Sequence, residues 1–168
     1  VKDYGTTMKA PEYLAINPMG KVPAIRHKGA VVTECAAICA YLADAFPASG
    51  LAPGPQNRAD YYRWLFFAAG PVEAAFSAKA MGWEAPAERQ GMLGYGNFDL
   101  MLNTLESAVT GKAFIAGGAF SAADVYVGSM IDFMLRFGQF APRPAFEAYL
   151  EPLRQRPAYL RALADSLS

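Results

Sequence analysis

A proline at the head of a strand-like run restricts this chain more than any other feature it carries. The stretch NPMGKVPAI, residues 17–25, sets Val22-Pro23 before an apolar run, and eight residues after Ile25 begins TECAAICAYLADAFP. Proline has no N–H to give to a ladder, so it enters a sheet at an edge, a strand start or a bulge. Two readings fit the pair. One is a plain strand start. The other is a cis peptide, which before proline costs only about 0.5–1 kcal/mol. Its bend would turn the Val22 N–H and C=O toward an open edge, where an extended peptide can add as a further strand.

Thr33-Glu34-Cys35 also has two readings. Either Thr33 is an ordinary cap that closes the first turn of a helix, or the unpaired N–H groups and positive dipole end of that helix seat a carboxylate. One tight hairpin at His27-Lys28-Gly29 separates this helix start from Val22-Pro23. A small acidic peptide lying across the strand ends would meet both.

Periodicity extends the pattern into two halves. The first is predicted to hold a short helix over 11–15, a strand over 22–26, a strand over 30–32 and a helix over 34–46. PASGLAPGPQN, residues 47–57, resists regular structure and reads as a linker. Beyond it nothing reads as a strand, and helices are predicted over 58–82, 86–109, 121–136, 145–155 and 157–167. The expected organisation is an α/β domain over residues 1–46, a linker over 47–57 and an all-α domain over 58–168. With 168 residues, 54% of them hydrophobic, the chain can bury a substantial core.

Composition removes several function classes. Formal charge is zero with acids and bases interspersed, so no basic stripe tracks phosphates and nucleic acid is excluded as a partner. Cys35 and Cys39 are too few for a zinc site and form no disulfide framework, which fits a reducing cytoplasm and no metal. The most apolar stretch, YYRWLFFAAGPVEAAF, is interrupted by Arg63, Gly70 and Pro71 and falls short of the roughly 20 residues of a membrane span. It reads as a core helix. The opening VKDYG has no initiator Met and no signal-peptide regions, and suggests a missing beginning.

The order PEYLAINPMGKVPAI, a hairpin, then TECAAICAYLADAFP resembles the glutathione transferase family of bacterial type. The linker, the following helices and FIAGGAFSAADV resemble that family's all-α domain, so the resemblance covers essentially the whole chain. It implies a thioredoxin-like α/β domain, lacking its first strand and helix here, followed by an all-helical domain. It implies that glutathione, as co-substrate, lies along the strand that starts at the cis-proline. Val22 would pair with the cysteinyl backbone and Pro23 would fix the kink. Glu34 and Cys35 would hold the γ-glutamyl end, and Lys21 would sit near the glycyl carboxylate, with Lys9 a further candidate for that charge. The implied reaction joins the glutathione thiolate to a small apolar electrophile, in a homodimer.

Two departures qualify the resemblance. The family usually has a serine where this chain has Cys35, and a thiol is a weak donor to a carboxylate. The Cys35 N–H survives the change, so weaker binding is one outcome and a different ligand the other. The second departure is at the amino end, where the family's first strand and helix supply the Tyr, Ser or Cys that contacts the glutathione sulfur. Residue 1 aligns within the second strand, so the catalytic residue is unassigned, and Tyr4, Tyr13 and Ser49 are not at the required position. Lowering a thiol pKa from about 8.5 to about 6.5 raises its ionised fraction at pH 7 roughly 25-fold. The absent strand would lie between the second and third strands, leaving the strand at Val22 as an unprotected edge. The sequence is therefore expected to be part of a longer protein. A non-catalytic binding or assembly module on the same fold is the alternative, and the residue ending the first strand would discriminate.

The remaining signals read as structure. His27, the one histidine, is expected to be solvated in the hairpin turn. Trp64, Phe66, Phe67, Phe76 and Trp83 read as core, although in the family such a helix also lines the electrophile pocket. Ser121 and Asp124 form a capping box that contributes about 1 kcal/mol to a helix start and nothing to chemistry.

Overall fold

The computed structural model describes Asp3 and residues 5–166. The expectation that the chain opens inside a strand falls on Val1, Lys2 and Tyr4, outside the described residues. The elements follow the order of a short helix α1 (Pro11–Leu14), strands β1 (Ala24–His27) and β2 (Ala30–Thr33), and helices α2 (Cys35–Ala45), α3 (Ala59–Phe67), α4 (Glu73–Ala80), α5 (Phe98–Val109), α6 (Ala122–Arg136), α7 (Pro144–Arg154) and α8 (Pro157–Ser166). This is an α/β unit followed by an all-helical one.

The hairpin is antiparallel, with Ala24 opposite Thr33 and His27 opposite Ala30. Strand β1 begins at Ala24 rather than Val22, because the ladder can start only after the proline, whose peptide with Val22 is cis. The turn is Lys28-Gly29 alone. Both residues have positive φ, 47° and 83°, the two-residue geometry that matches the twist of paired strands. The expectation for His27 is therefore corrected. It ends β1, half-buried, with Nδ1 3.0 Å from the Tyr41 hydroxyl and its ring 5.3 Å from that of Phe46.

Two long helices predicted from periodicity are each divided. Over 58–82, a π-helical turn at Ala68–Val72 separates α3 from α4. Pro71 lies in that turn, lacks the N–H that an α-helix would need there, and is accommodated by the wider turn. Over 86–109, Ala87–Met92 is a 3₁₀ segment and α5 starts only at Phe98. Gly91 lies in the 3₁₀ segment and Gly94 and Gly96 in the gap after it, and Asn97 caps α5 by accepting the Leu100 N–H at 2.8 Å. Helices α6, α7 and α8 keep their predicted positions to within one residue at each end.

One core joins the two halves. Ala36 and Ala43 of α2 belong to the same buried cluster as Tyr61, Trp64 and Leu65 of α3, Leu105 of α5, Ile131 of α6 and Phe146 and Leu150 of α7. The aromatic residues predicted as core divide. Trp64 is buried and Phe67 and Phe76 pack against the core, whereas Phe66 and Trp83 are 69% and 68% exposed. Phe66 is two residues from Trp64 and so lies round the helix from it, and Trp83 lies beyond the end of α4.

A charged knot ties α6, α7 and α8. The buried Asp132 carboxylate accepts from Arg154 Nε at 2.9 Å and Nη2 at 2.7 Å, and from the Tyr159 hydroxyl at 2.9 Å, with Arg136 2.8 Å away. Burial pushes this carboxyl upward, but the hydrogen bonds from Arg154 and Tyr159 and the two guanidinium charges outweigh it, so its pKa is lowered. A lowered folded pKa stabilises above the unfolded value, about 3.9, and the contribution is lost as pH falls toward the folded value. Chemical denaturation between pH 6 and pH 2 is thus expected to show a less steep acid loss in Asp132→Asn than in the parent. Parallel curves would remove Asp132 from the acid response.

Candidate functional site

The loop ahead of β1 is held from behind. Asn17 is buried and donates from Nδ2 to the Lys21 carbonyl at 2.8 Å, and the Tyr13 hydroxyl donates to the same oxygen. Lys9 Nζ donates to the carbonyls of Gly20 at 2.9 Å and Met19 at 3.3 Å. Gly20 has φ 57°, and a Cβ there would stand 2.9 Å from Lys9 Nζ and 3.0 Å from the Met8 carbonyl oxygen. Only glycine fits that close approach without displacing its neighbours. The clamp ends at Lys21. Among the described residues nothing hydrogen-bonds the Val22 main chain, which lies ahead of the ladder beside the exposed Lys21.

Across the hairpin, Thr33 is the last residue of β2 and does not cap α2. The cap position is Glu34, with φ 68° and ψ 124° and no side-chain cap hydrogen bond. The simple capping reading of Thr33 is thereby replaced. An L-residue held at positive φ costs on the order of 1 kcal/mol or more, and such residues cluster at functional sites. The carbonyl of Glu34 accepts the Ile38 N–H at 2.8 Å, so the main chain is committed to the helix while the carboxylate stays exposed. Cys35 follows, also exposed, in a first turn whose N–H groups no side chain of the described residues serves.

The surroundings of Cys35 come from distant parts of the chain. Burial, then the carboxylates of Glu73 and Glu34, push its thiol pKa up. It is a protonated thiol at neutral pH. Cys39, one turn on, is pushed up to about 11 by burial and by Cys35. Tyr126 of α6 is pushed up to about 12, by burial first and then by Cys35, Glu73, Cys39 and Glu34. The π-helical turn delivers Glu73, the first residue of α4, to this group. Beyond Glu73 runs an aromatic strip. Phe76 of α4 stands 5.8 Å from Phe133 of α6, which stands 4.4 Å from Phe137. Tyr126, Met130, Phe133 and Phe137 share one face of α6 by their spacing. Phe133 and Phe137 are 46% and 63% exposed.

Of the residues predicted for the site, Lys21, Val22 and Pro23 are consecutive at one end of the hairpin, and Glu34 and Cys35 follow β2, whose Thr33 pairs with Ala24 just beyond Pro23. Lys9 fastens the loop and keeps one of its three N–H donors. Sequence reasoning missed Tyr13 and Asn17, which clamp the loop, and Glu73 and Tyr126, which flank Cys35. Tyr13 and Asn17 lie within PEYLAIN, where spacing from a turn is the available signal. Glu73 had one, the Gly-Pro pair that unsettles its helix; Tyr126 had none.

Residues 2–45 match the family model for the glutathione S-transferase N-terminal domain. The chain is 30% identical over 160 residues to glutathione S-transferase A of Pleuronectes platessa, covering 89% of this chain and 71% of the relative. It is 31% identical over 129 residues to glutathione S-transferase GST-4.5 of Xanthomonas campestris, covering 72% of this chain and 63% of the relative. Among solved structures it resembles a sphingomonad glutathione S-transferase complexed with glutathione, with a TM-score of 0.74 and 35% identity over 93% of this chain and 79% of the other.

Proposed function

Because the chain belongs to the glutathione S-transferase family, we propose that it holds glutathione between Val22 and the start of α2 and presents the thiol to an apolar electrophile. The observation that carries this reading is the uncapped first turn of α2 behind an outward-facing Glu34 held at positive φ. A γ-glutamyl group is a zwitterion, with an ammonium and a carboxylate on one carbon. The Cys35 N–H and its neighbours receive the carboxylate. The carboxylates of Glu34 and Glu73 receive the ammonium. The Val22 main chain pairs with the cysteinyl residue, Pro23 holds the entry to β1 beside it, and Lys21, with Lys9 behind it, meets the glycyl carboxylate.

The reaction that follows from this arrangement is nucleophilic. The glutathione sulfur, having released its proton to solvent, forms a bond to the electrophilic carbon, and the leaving group departs with its electron pair. The strip of Phe76, Phe133 and Phe137 runs on from Glu73 and Tyr126 and offers flat apolar contact to the electrophile. Exposed Tyr62 and Phe66 on α3 and Leu100 on α5 supply apolar surface for a homodimer. No helix of the described residues is long and apolar enough to cross a membrane, and a cytoplasmic setting suits free thiols at Cys35 and Cys39.

Calorimetric titration of the full-length protein with glutathione tests the reading, together with a conjugation assay using a chloronitrobenzene. Cys35→Ser is expected to hold or tighten glutathione binding, up to about tenfold, because a hydroxyl is a better donor to a carboxylate than a thiol. Turnover of the electrophile should accompany binding. Binding without turnover leaves a glutathione-binding module, and no binding at millimolar glutathione sinks the proposal.

A further inference from the structure

Cys35 and Cys39 are the chain's two cysteines, both free, and they stand one turn apart on α2. Residues four apart share a helix face with their Cβ atoms about 5–6 Å from each other, a gap that two thiols close on one small centre. Cys35 is exposed and gives access, while Cys39 is half-buried and packs against the core. The pair stands near the junction of α2 with α6 and the π-helical turn. Tyr126 lies within electrostatic reach of both thiols, and Glu73 within reach of Cys35.

The donor set is narrow. Among the described residues no three His, Cys, Asp or Glu side chains converge as a metal ion requires, so four-ligand zinc chemistry has no place to form. Two sulfurs one turn apart suit instead a thiophilic centre that takes two protein bonds. Trivalent arsenic with one organic group is such a centre: two of its valences carry exchangeable hydroxyls and the third is filled. The aromatic strip of Phe76 and the exposed Phe133, running on from Glu73 and Tyr126, gives a flat organic group apolar contact. Protonation points the same way. Burial and the neighbouring carboxylates keep Cys35 a thiol, and Cys39 is pushed up to about 11. A metal cation must expel those protons, whereas an arsenous acid removes them as water.

We propose that Cys35 and Cys39 form a chelating site for trivalent monoarylarsenicals, with the aryl group on the side of Phe76 and Phe133. Each thiol gives its proton to an As–OH group. Two As–O bonds break, two As–S bonds form and two waters leave, so arsenic stays trivalent and neither oxidant nor reductant takes part. The site shares Cys35 with the glutathione groove but requires neither glutathione binding nor turnover.

Intact-mass spectrometry of the full-length protein with equimolar phenylarsine oxide, which hydrates to the arsenous acid, tests the proposal in excess 2-mercaptoethanol. The parent is expected to keep a phenylarsenic group that the monothiol leaves in place and 1,2-ethanedithiol strips. Peptide mapping of that adduct should find Cys35 and Cys39 both closed to iodoacetamide, a readout that needs no variant. Cys35→Ser and Cys39→Ser, with thermal melts to show that each folds, should each need about 100-fold more arsenical for the same occupancy, because the second thiol of a chelate acts at a high effective concentration and a single As–S bond lacks it. Phe133→Ala should weaken retention of the phenyl compound and leave inorganic arsenite unchanged. Equimolar Zn(II) should not protect the thiols. Absence of an adduct in the parent, closure of one cysteine alone, undiminished retention by either serine variant, or protection by zinc would each overturn the proposal. Equal loss of phenyl compound and arsenite in Phe133→Ala would remove the aryl contact from it.

Discussion

Replacing Asp124 with alanine is expected to cost the fold about 3–6 kcal/mol, several times the loss of an ordinary helix cap. The carboxylate is 1% exposed and serves four donors. Oδ1 accepts the Ile115 N–H at 2.7 Å and the Tyr149 hydroxyl at 2.8 Å, and Oδ2 accepts the Ser121 N–H at 2.9 Å and hydroxyl at 3.1 Å. Tyr149 is 2% exposed, and burial followed by the Asp124 charge keeps its hydroxyl protonated and donating far above neutral pH. Alanine would strand these donors in the core, at about 1–3 kcal/mol for each that finds no partner. Ser121→Ala removes only one donor and should cost about 1 kcal/mol. Asp124→Asn keeps one acceptor oxygen but turns an amide toward another donor pair, and should fall between. Urea midpoints at constant slope give the ranking, and soluble expression ranks any variant that does not fold. If Asp124→Ala matched Ser121→Ala, Asp124 would be a cap and nothing more.

The difference between a cap and a hub marks where sequence stops informing. Ser121 and Asp124 are three apart, and the capping pattern is local, so it is legible. Tyr149 is 25 residues from Asp124, and no spacing rule connects them. The same division runs through the fold. The hairpin, its turn and the start of α2 are encoded in neighbours, as is the cis peptide at Val22-Pro23. Apolar spacing continues across the three glycines of the 86–109 segment, so periodicity predicts one helix there, and only the Asn97 cap shows where α5 begins. Among the candidate site residues, Val22 and Cys35 can be singled out from sequence because local main-chain geometry fixes their surroundings. Glu73 and Tyr126 reach Cys35 only through the packing of α2 against α6 and against the π-helical turn. Phe66 and Trp83 fail for another reason: hydrophobic residues are not confined to the core, and their aromatic character says nothing about which side of a helix they occupy.

Glu34→Gln is expected to weaken glutathione binding by about 10- to 100-fold, the loss that goes with a charged hydrogen-bond partner, while moving stability little. The second half of that statement depends on the backbone. Glu34 stands at φ 68°, where glycine is unstrained and any other residue is not. A glycine there should relieve strain of about 1 kcal/mol, partly offset by the greater freedom of the unfolded chain, so Glu34→Gly should be as stable as the parent or more so. Its glutathione affinity should nevertheless drop like that of Glu34→Gln, because both lack the carboxylate. Stability and binding then move in opposite directions at one residue, which a plain turn residue would not produce. Calorimetric titration with glutathione and thermal melts of the parent and both variants, all in the full-length protein, read the two quantities separately. Equal affinities across the three proteins would reduce Glu34 to a turn residue. A loss in Glu34→Gly alone would assign the effect to the main-chain conformation and remove the carboxylate from the site.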